Sequence, residues 1–256
     1  MKGLRQRILA GETLLGCWLS LGTAITAEIV GLAGFDWTLI DLEHGAGDEQ
    51  QALAAMQALS GTPAASIVRV ESHQRQRVHR ILDMGAEGIM FPRLARPEEA
   101  REAISAMRYQ PEGLRGVARH IRAAAFAVQF DDYFAHYKER QIGIVQIETE
   151  EVLGHLDAIA ALDGVDVLFV GPMDLSMALR VFQQKSHPKY LEAIRRVAEA
   201  AHRAGKASGV LLGSPDEFTM YHDLGYRFIA CGSDGGFVAA AARATVAALK
   251  KQITTP

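Results

Sequence analysis

The chain has 256 residues, a formal net charge of -3, 49% hydrophobic residues and 24 glycines. That length allows one large α/β unit with a sizeable core, and the mild negative charge argues against a nucleic-acid surface as the main partner. No apolar run approaches the ~20 residues of a membrane span.

The N-terminal stretch MKGLRQRILAGETLLG lacks the long apolar region of a secretory signal. Cys17 and Cys231 fall in predicted buried strands. They read as core fillers in a reducing, cytoplasmic setting, not as a disulfide framework.

Residues 1–13 read as a short polar helix, followed by a first strand at Leu14–Leu19. Helical spacing over Ala24–Ala33 stops at Gly34, and Asp36–Leu42 is the second strand. That strand breaks into Glu43-His44-Gly45-Ala46-Gly47, after which Asp48 caps a helix running to about Leu59. Strand three is Ala65–Val70, its helix Gln76–Met84 closes at Gly85, and strand four, Gly88–Phe91, stops at Pro92. A helix over Pro97–Met107 leads into Arg108–Phe130, an arginine-rich stretch with no clear strand, of the length that more often carries function than idles. A helix at Tyr133–Arg140 follows, then strand five at Ile142–Ile147, helical spacing from Val152 to Ala160, and strand six at Val165–Val170. The remainder is a partly helical loop at Met177–Lys185, a helix at Pro188–Ala204, strand seven at Ala207–Leu212, a helix at Pro215–Leu224, strand eight at Arg227–Cys231 and an Ala-rich helix from Ser233 to about Lys251.

Eight short strands, nearly all separated by helices and with no linker between them, predict a single-domain (β/α)8 TIM barrel over residues 1–256. A doubly wound open sheet is the runner-up, weakened because no phosphate loop follows the first strand.

In a barrel, polar residues at the carboxyl ends of strands read as catalytic. Here they are Asp41, Glu43 and His44 after strand two, Arg69 at strand three, Gln146 and Glu148 at strand five, and Asp174 after strand six. Singly, a rim carboxylate is often just solvated or caps a helix, and Arg69 has a structural alternative as a salt bridge to Asp41 or Glu43. Together, Glu148 and Asp174 after adjacent strands suit a hard divalent cation such as Mg²⁺ or Mn²⁺, which prefers oxygen ligands. Arg69 suits the oxygen of an oxo-acid, and His44 a proton transfer. Such a set suits an anionic oxo-acid, whose carbonyl oxygen a metal would polarise as a Lewis acid. The strand-end lysine, Lys206, begins strand seven at the wrong end.

The motifs DLEHG (Asp41–Gly45), VRV (Val68–Val70), ILDMGAEGIMFPR (Ile81–Arg93), GLRGV (Gly113–Val117), VQIET (Val145–Thr149) and VGPMDLS (Val170–Ser176) resemble the HpcH/HpaI family of metal-dependent (class II) pyruvate aldolases. This family includes 4-hydroxy-2-oxoheptanedioate and 2-dehydro-3-deoxyglucarate aldolases. The resemblance runs from about Leu14 to Gly236. It implies a cytoplasmic barrel enzyme, with a place in aromatic catabolism among the family's roles, whose C-terminal helix is exchanged between subunits of a hexamer, a dimer of trimers. It implies Mg²⁺, Mn²⁺ or Co²⁺ on Glu148 and Asp174, with Asp41 and Glu43 behind the site. It implies that Arg69 and the metal stabilise a pyruvate enolate, with Gln146, Gly171, Pro172, Met173 and Asp174 lining the pyruvate. It further implies that His44 works with Asp83 of a neighbouring subunit as the acid/base system, and that Leu212 contacts the acceptor aldehyde.

Departures from the family pattern lie on the acceptor side. The segment Val117–Phe126 does not follow the expected small-residue run, Arg122 is the best match for its arginine, and Met173 replaces a small residue. Two rival readings remain open at this level. One is a carbon–carbon lyase like citrate lyase or malyl-CoA lyase, acting on thioesters. The other is a non-catalytic barrel that binds an oxo-acid.

Overall fold

The computed structural model describes residues 3–254. Eight parallel strands close on themselves in chain order: β1 (Leu14–Leu19), β2 (Trp37–Asp41), β3 (Ala65–Arg69), β4 (Gly88–Phe91), β5 (Ile142–Ile147), β6 (Val167–Val170), β7 (Ala207–Leu212) and β8 (Phe228–Ser233). The final pair, β8 with β1, completes the (β/α)8 barrel that the strand count predicts. The helices are α1 (Leu4–Leu9), α2 (Ala24–Leu32), α3 (Glu49–Leu59), α4 (Arg75–Asp83), α5 (Pro97–Met107), α6 (Phe130–Arg140), α7 (Leu156–Ala160), α8 (Pro172–Ala178), α9 (Pro188–Arg203), α10 (Phe218–Asp223) and α11 (Asp234–Thr254). None of the described helices is long and apolar enough to cross a membrane.

Local chemistry fixes several boundaries as expected. Asp48 accepts from the backbone N–H groups of Gln50 and Gln51, and Gln51 reaches back to the Asp48 N–H, a reciprocal cap at the start of α3. Gly34 and Gly85 take φ values of +100° and +102° just past α2 and α4, where a side chain would be strained.

Two segments differ from the sequence expectation, and a third, expected to hold no strand, holds none. The stretch after β5 is not one helix but a 3₁₀ turn at Glu151–Gly154 followed by the five-residue α7. The Gly171-Pro172-Met173-Asp174 stretch after β6, whose Gly-Pro pair reads as a turn, is the start of α8, with Pro172 at its first position. The segment after α5 folds through an isolated bridge between Tyr109 and Arg115 and a 3₁₀ turn at Arg122–Ala124. It then runs through three left-handed residues, Ala125, Phe126 and Ala127.

Strand alternation divides the core in two. Leu14, Trp18, Trp37, Leu39, Ile67, Met90, Ile144, Phe169, Phe228 and Ala230 fill the barrel interior, while Cys17, Ile40, Val68, Ile89, Val145, Leu168 and Val210 pack outward against the helices. Trp37 and Phe228 stack at 3.9 Å between ring centroids. That stack leaves no room beside it, since a Cβ on Gly16 would lie 2.1 Å from Trp37 Cε2. Gly16→Ala is therefore expected to destabilise the barrel by about 1–3 kcal/mol through overpacking, read as a lower urea midpoint with an unchanged m-value. Below this layer, α1 closes the amino-terminal end. Arg5 donates to the fully buried Asp166 at 2.9–3.1 Å, and Asp166 also accepts from the Gly143 N–H at 3.1 Å.

Candidate active site

The same alternation that fills the interior decides which polar groups meet at its carboxyl end. Continuing the inward sets two residues past Leu39, Ile67 and Ile144 reaches Asp41, Arg69 and Gln146, and one step further on β5 reaches Glu148. All four are buried.

Arg69 is held on three sides. Its Nε donates to Asp41 Oδ1 at 2.9 Å and its Nη2 to Asp41 Oδ2 at 2.6 Å, a two-pronged contact, while Nη1 lies 3.0 Å from Glu43 Oε2. The guanidinium also sits over the Trp18 ring, 5.8 Å from its centroid. Burial pulls the Arg69 pKa down, but the hydrogen bond and charge of Asp41 and the charges of Glu43 and Glu148 outweigh it and hold it up. The salt bridge that the sequence allowed for Arg69 is formed, to both Asp41 and Glu43. Asp41 also accepts from the N–H groups of Glu43 and His44, which ties the loop after β2 to the arginine.

Glu148 follows β5, one strand removed from β3, and its charge acts on Arg69. Its Oε1 accepts from Gln146 Nε2 at 2.8 Å and its Oε2 from the Arg93 backbone N–H at 3.1 Å. Burial, joined by the charge of Asp174, pushes the Glu148 carboxyl up to about 7. The Arg93 N–H and the Arg69 charge pull the other way without cancelling the rise. Glu43 is raised as well, again by burial first, with Arg69 and His44 opposing. A Cβ at Gly171 would lie 2.6 Å from Glu148 Oε1, so the glycine keeps open the space beside that oxygen.

Asp41, Glu43 and Glu148 therefore act on a single guanidinium, Asp174 adds its charge to Glu43 and Glu148, and acidic groups outnumber the one buried cation. The buried Gln146 Oε1 has no hydrogen-bond partner. Oxygen donors, surplus negative charge and an unsatisfied acceptor fit a hard divalent cation at Glu148 and Asp174. Among the described residues, no three His, Cys, Asp or Glu side chains form a ready-made cage. Two carboxylates suit a cation that keeps several waters.

The remaining residues are placed less uniformly. Pro172 is buried, while Met173 is 51% exposed on the first turn of α8, beside Asp174. The His44 side chain is 70% exposed, with Nε2 3.9 Å from Glu43 Oε2. Asp83 does not join it. Its carboxylate accepts from Arg115 Nη2 at 2.6 Å, on the outer side of the barrel in a cleft shared with His79, Arg80, Ile121, Arg122 and Phe126. Leu212 is also outside the group. Its side chain packs in the core between barrel and helices, and its neighbour Leu211 is the residue that meets the interior cluster. Of the two, Leu211 is thus the β7 side chain turned toward the barrel interior.

Two participants escape the sequence reading. Trp18 forms the floor under Arg69, and Arg93 supplies an N–H to Glu148 from a left-handed conformation with φ +56°. The Pro92-Arg93 pair at the end of β4 was the available signal, because a residue just beyond a strand end sits on the rim.

Residues 14–241 match the family described as HpcH/HpaI aldolase/citrate lyase. The chain is 37% identical over 244 residues to a 5-keto-4-deoxy-D-glucarate aldolase of Shigella boydii, covering 95% of each. Its fold is similar to that of a HpcH/HpaI aldolase/citrate lyase family protein from Burkholderia cenocepacia, with a TM-score of 0.92 and 35% identity over 98% of this chain and all of the other. A HpcH/HpaI aldolase from Desulfitobacterium hafniense gives a TM-score of 0.90 at 28% identity, covering 100% of this chain and 98% of that one.

Proposed function

Since this chain belongs to the HpcH/HpaI aldolase/citrate lyase family and is a class II aldolase, a carbon–carbon lyase acting on a small molecule, we propose that it reversibly cleaves a 4-hydroxy-2-oxo acid to pyruvate and an aldehyde, with a divalent cation held by Glu148 and Asp174. The observation that carries this reading is the clamping of Arg69 by Asp41 and Glu43 opposite a carboxylate pushed up to about 7. The relatives named 5-keto-4-deoxy-D-glucarate aldolase support a sugar-derived diacid as the substrate. The aldehyde would then be tartronate semialdehyde, with succinate semialdehyde the alternative from the heptanedioate class.

Mg²⁺, Mn²⁺ or Co²⁺ at this position would supply Lewis-acid polarisation of the 2-oxo group. The chain's own part follows from donor counting. A guanidinium carries five N–H groups, of which Arg69 directs three to Asp41 and Glu43. The other two, on Nη1 and Nη2, are free to hold the 2-oxo oxygen and the negative charge that develops there as the C3–C4 bond breaks. Gln146 steadies Glu148 and lines the pyruvate, and Gly171 and Pro172 leave room for it. His44, on the rim, takes the 4-hydroxyl proton, and Asp83 of the partner subunit completes the proton path.

That last assignment makes the active site depend on assembly. Support comes from the apolar surface left open by one chain. Ile25, Ile29 and Leu32 of α2 are 63–70% exposed, as are Val238, Val246, Leu249 and Ile253 of α11 at 51–82%. Faces of this kind suit the exchange of α11 between neighbours and a hexamer built as a dimer of trimers.

The deciding experiment measures pyruvate release from 5-keto-4-deoxy-D-glucarate and from 4-hydroxy-2-oxoheptanedioate, each with Mn²⁺ and with chelator. Pyruvate that appears with Mn²⁺ and vanishes on chelation is the expected result. Release that survives chelation removes the metal role from Glu148 and Asp174.

A further inference from the structure

Arg93 carries a charge at the barrel mouth that the chemistry above does not use. Its backbone N–H is spent on Glu148 Oε2 at 3.1 Å, which fixes the residue beside the carboxylate. The residue is left-handed, with φ +56°, a conformation that costs an arginine free energy and recurs where a site needs a particular backbone path. Pro92 before it is buried, and Arg96 three residues later is anchored to Glu151 at 2.7 Å. The loop is therefore pinned at both ends to β5 and the segment that follows it.

The guanidinium itself is exposed, and among the described residues no hydrogen bond or ion pair engages it. Several other cations, on β3 and on the segments that follow β3 and β6, are committed. Arg69 is paired with Asp41 and Glu43, Arg77 with Glu49 and Glu71, Arg80 with Glu49, and Lys185, beyond β6, with Glu217. A diacid substrate brings a second carboxylate, on the part that leaves as the aldehyde. With Glu148 and Asp174 taken up by the divalent cation and Arg69 by the 2-oxo group, that carboxylate still meets the charge of Glu43 and needs a cation of its own to receive it. Arginine is suited to the task, since its planar fork meets a carboxylate with two parallel hydrogen bonds on a long, flexible stem.

We propose that Arg93 binds the distal carboxylate of a dicarboxylic 4-hydroxy-2-oxo acid and so sets a preference for diacids over monoacids. This inference rests on the aldolase reading and adds a specificity-determining residue to it.

The test compares two substrates in the full-length metal-loaded enzyme, 5-keto-4-deoxy-D-glucarate and the monoacid 4-hydroxy-2-oxopentanoate, whose aldehyde is acetaldehyde. In Arg93→Ala the ratio of kcat/KM for diacid to monoacid is expected to fall about 10- to 100-fold, the range for a lost hydrogen bond to a charged group. The loss should fall mainly in the KM for the diacid, with Arg93→Lys intermediate and Arg93→Glu lower than Arg93→Ala. Alanine keeps the backbone N–H to Glu148 and is no less able than arginine to hold the left-handed backbone, so the comparison isolates the side chain. An unchanged ratio, or an equal loss with both substrates, overturns the inference and leaves the aldolase standing. A wild-type enzyme that releases no pyruvate from either substrate overturns the aldolase reading and the inference with it.

Discussion

Replacing Glu148 by glutamine is expected to lower kcat/KM by about 10³-fold or more, and at the same time to make the chelated protein less sensitive to pH. The first effect follows from removing a charged ligand whose cation contributes several kcal/mol of charge stabilisation, each ~1.4 kcal/mol being tenfold in rate. The second follows from burial. The Glu148 carboxyl is raised from 4.5 to about 7 in the folded chain, first by burial and then by the charge of Asp174.

The folded state therefore holds this proton more tightly than the unfolded chain does. The resulting stabilisation is fully present below about pH 4.5, declines as the pH rises, and is lost above about 7. A rise of that size corresponds to on the order of 3 kcal/mol. Urea unfolding of the chelated wild type at pH 5 and pH 8 should show this loss, and Glu148→Gln should show much less of it, because an amide does not titrate. Mn²⁺ added at pH 8 should restore stability to the wild type and do little for the variant. A variant that keeps the wild-type pH dependence would remove Glu148 as its source. A variant that keeps wild-type turnover would remove it as a ligand.

Much of this arrangement was legible because barrel strands obey a period of two. Once Trp37, Leu39 and Asp41, or Ile144, Gln146 and Glu148, are placed on strands, their polar members are carried to the same end of the barrel. The rule fails where a strand offers no contrast. β7 reads ASGVLL, apolar or small throughout, so nothing in the sequence distinguishes its inward from its outward face. The structure supplies the distinction, with Leu211 facing the interior and Leu212 packed outward.

Helix α8 was hidden by its own start signal. Gly171-Pro172 reads as a turn, yet proline at a first helical position is as good a beginning. Arg93 was hidden because a left-handed arginine is a tertiary effect. Its conformation is held by a hydrogen bond to a residue 55 positions away, which no local pattern encodes. Asp83 gives no local signal of a role either. Within one chain its carboxylate accepts from Arg115, whose Nε and Nη1 are buried without hydrogen-bond partners, and the role proposed for it in a partner's site is not one a single chain displays.

Arg69→Lys is expected to lower kcat by about 10²–10³-fold, the usual cost of losing one preorganised donor to a developing oxyanion, with a smaller change in KM. Charge is conserved in this substitution, so a field effect alone predicts a mild phenotype. Geometry predicts a severe one. Arg69 spends three N–H groups on Asp41 and Glu43 and keeps two, and its rigid plane aims the free pair once the other three are fixed. Lysine has three N–H groups on one compact, rotatable nitrogen, which cannot span both Asp41 oxygens, reach Glu43 and still present two aligned donors. It also leaves the buried Asp41 under-paired, while the N–H groups of Glu43 and His44 continue to hold that carboxylate.

Asp41→Asn separates orientation from charge. It retains an acceptor for the loop N–H groups but loses the two-pronged clamp, so its kcat is expected to lie between wild type and Arg69→Lys. The two variants together with their double variant form a cycle. If Asp41 acts only through Arg69, the double variant should be no slower than Arg69→Lys alone. Additive losses would show that Asp41 acts on the substrate by a separate route, and a near-wild-type kcat in Arg69→Lys would remove the guanidinium from the developing negative charge.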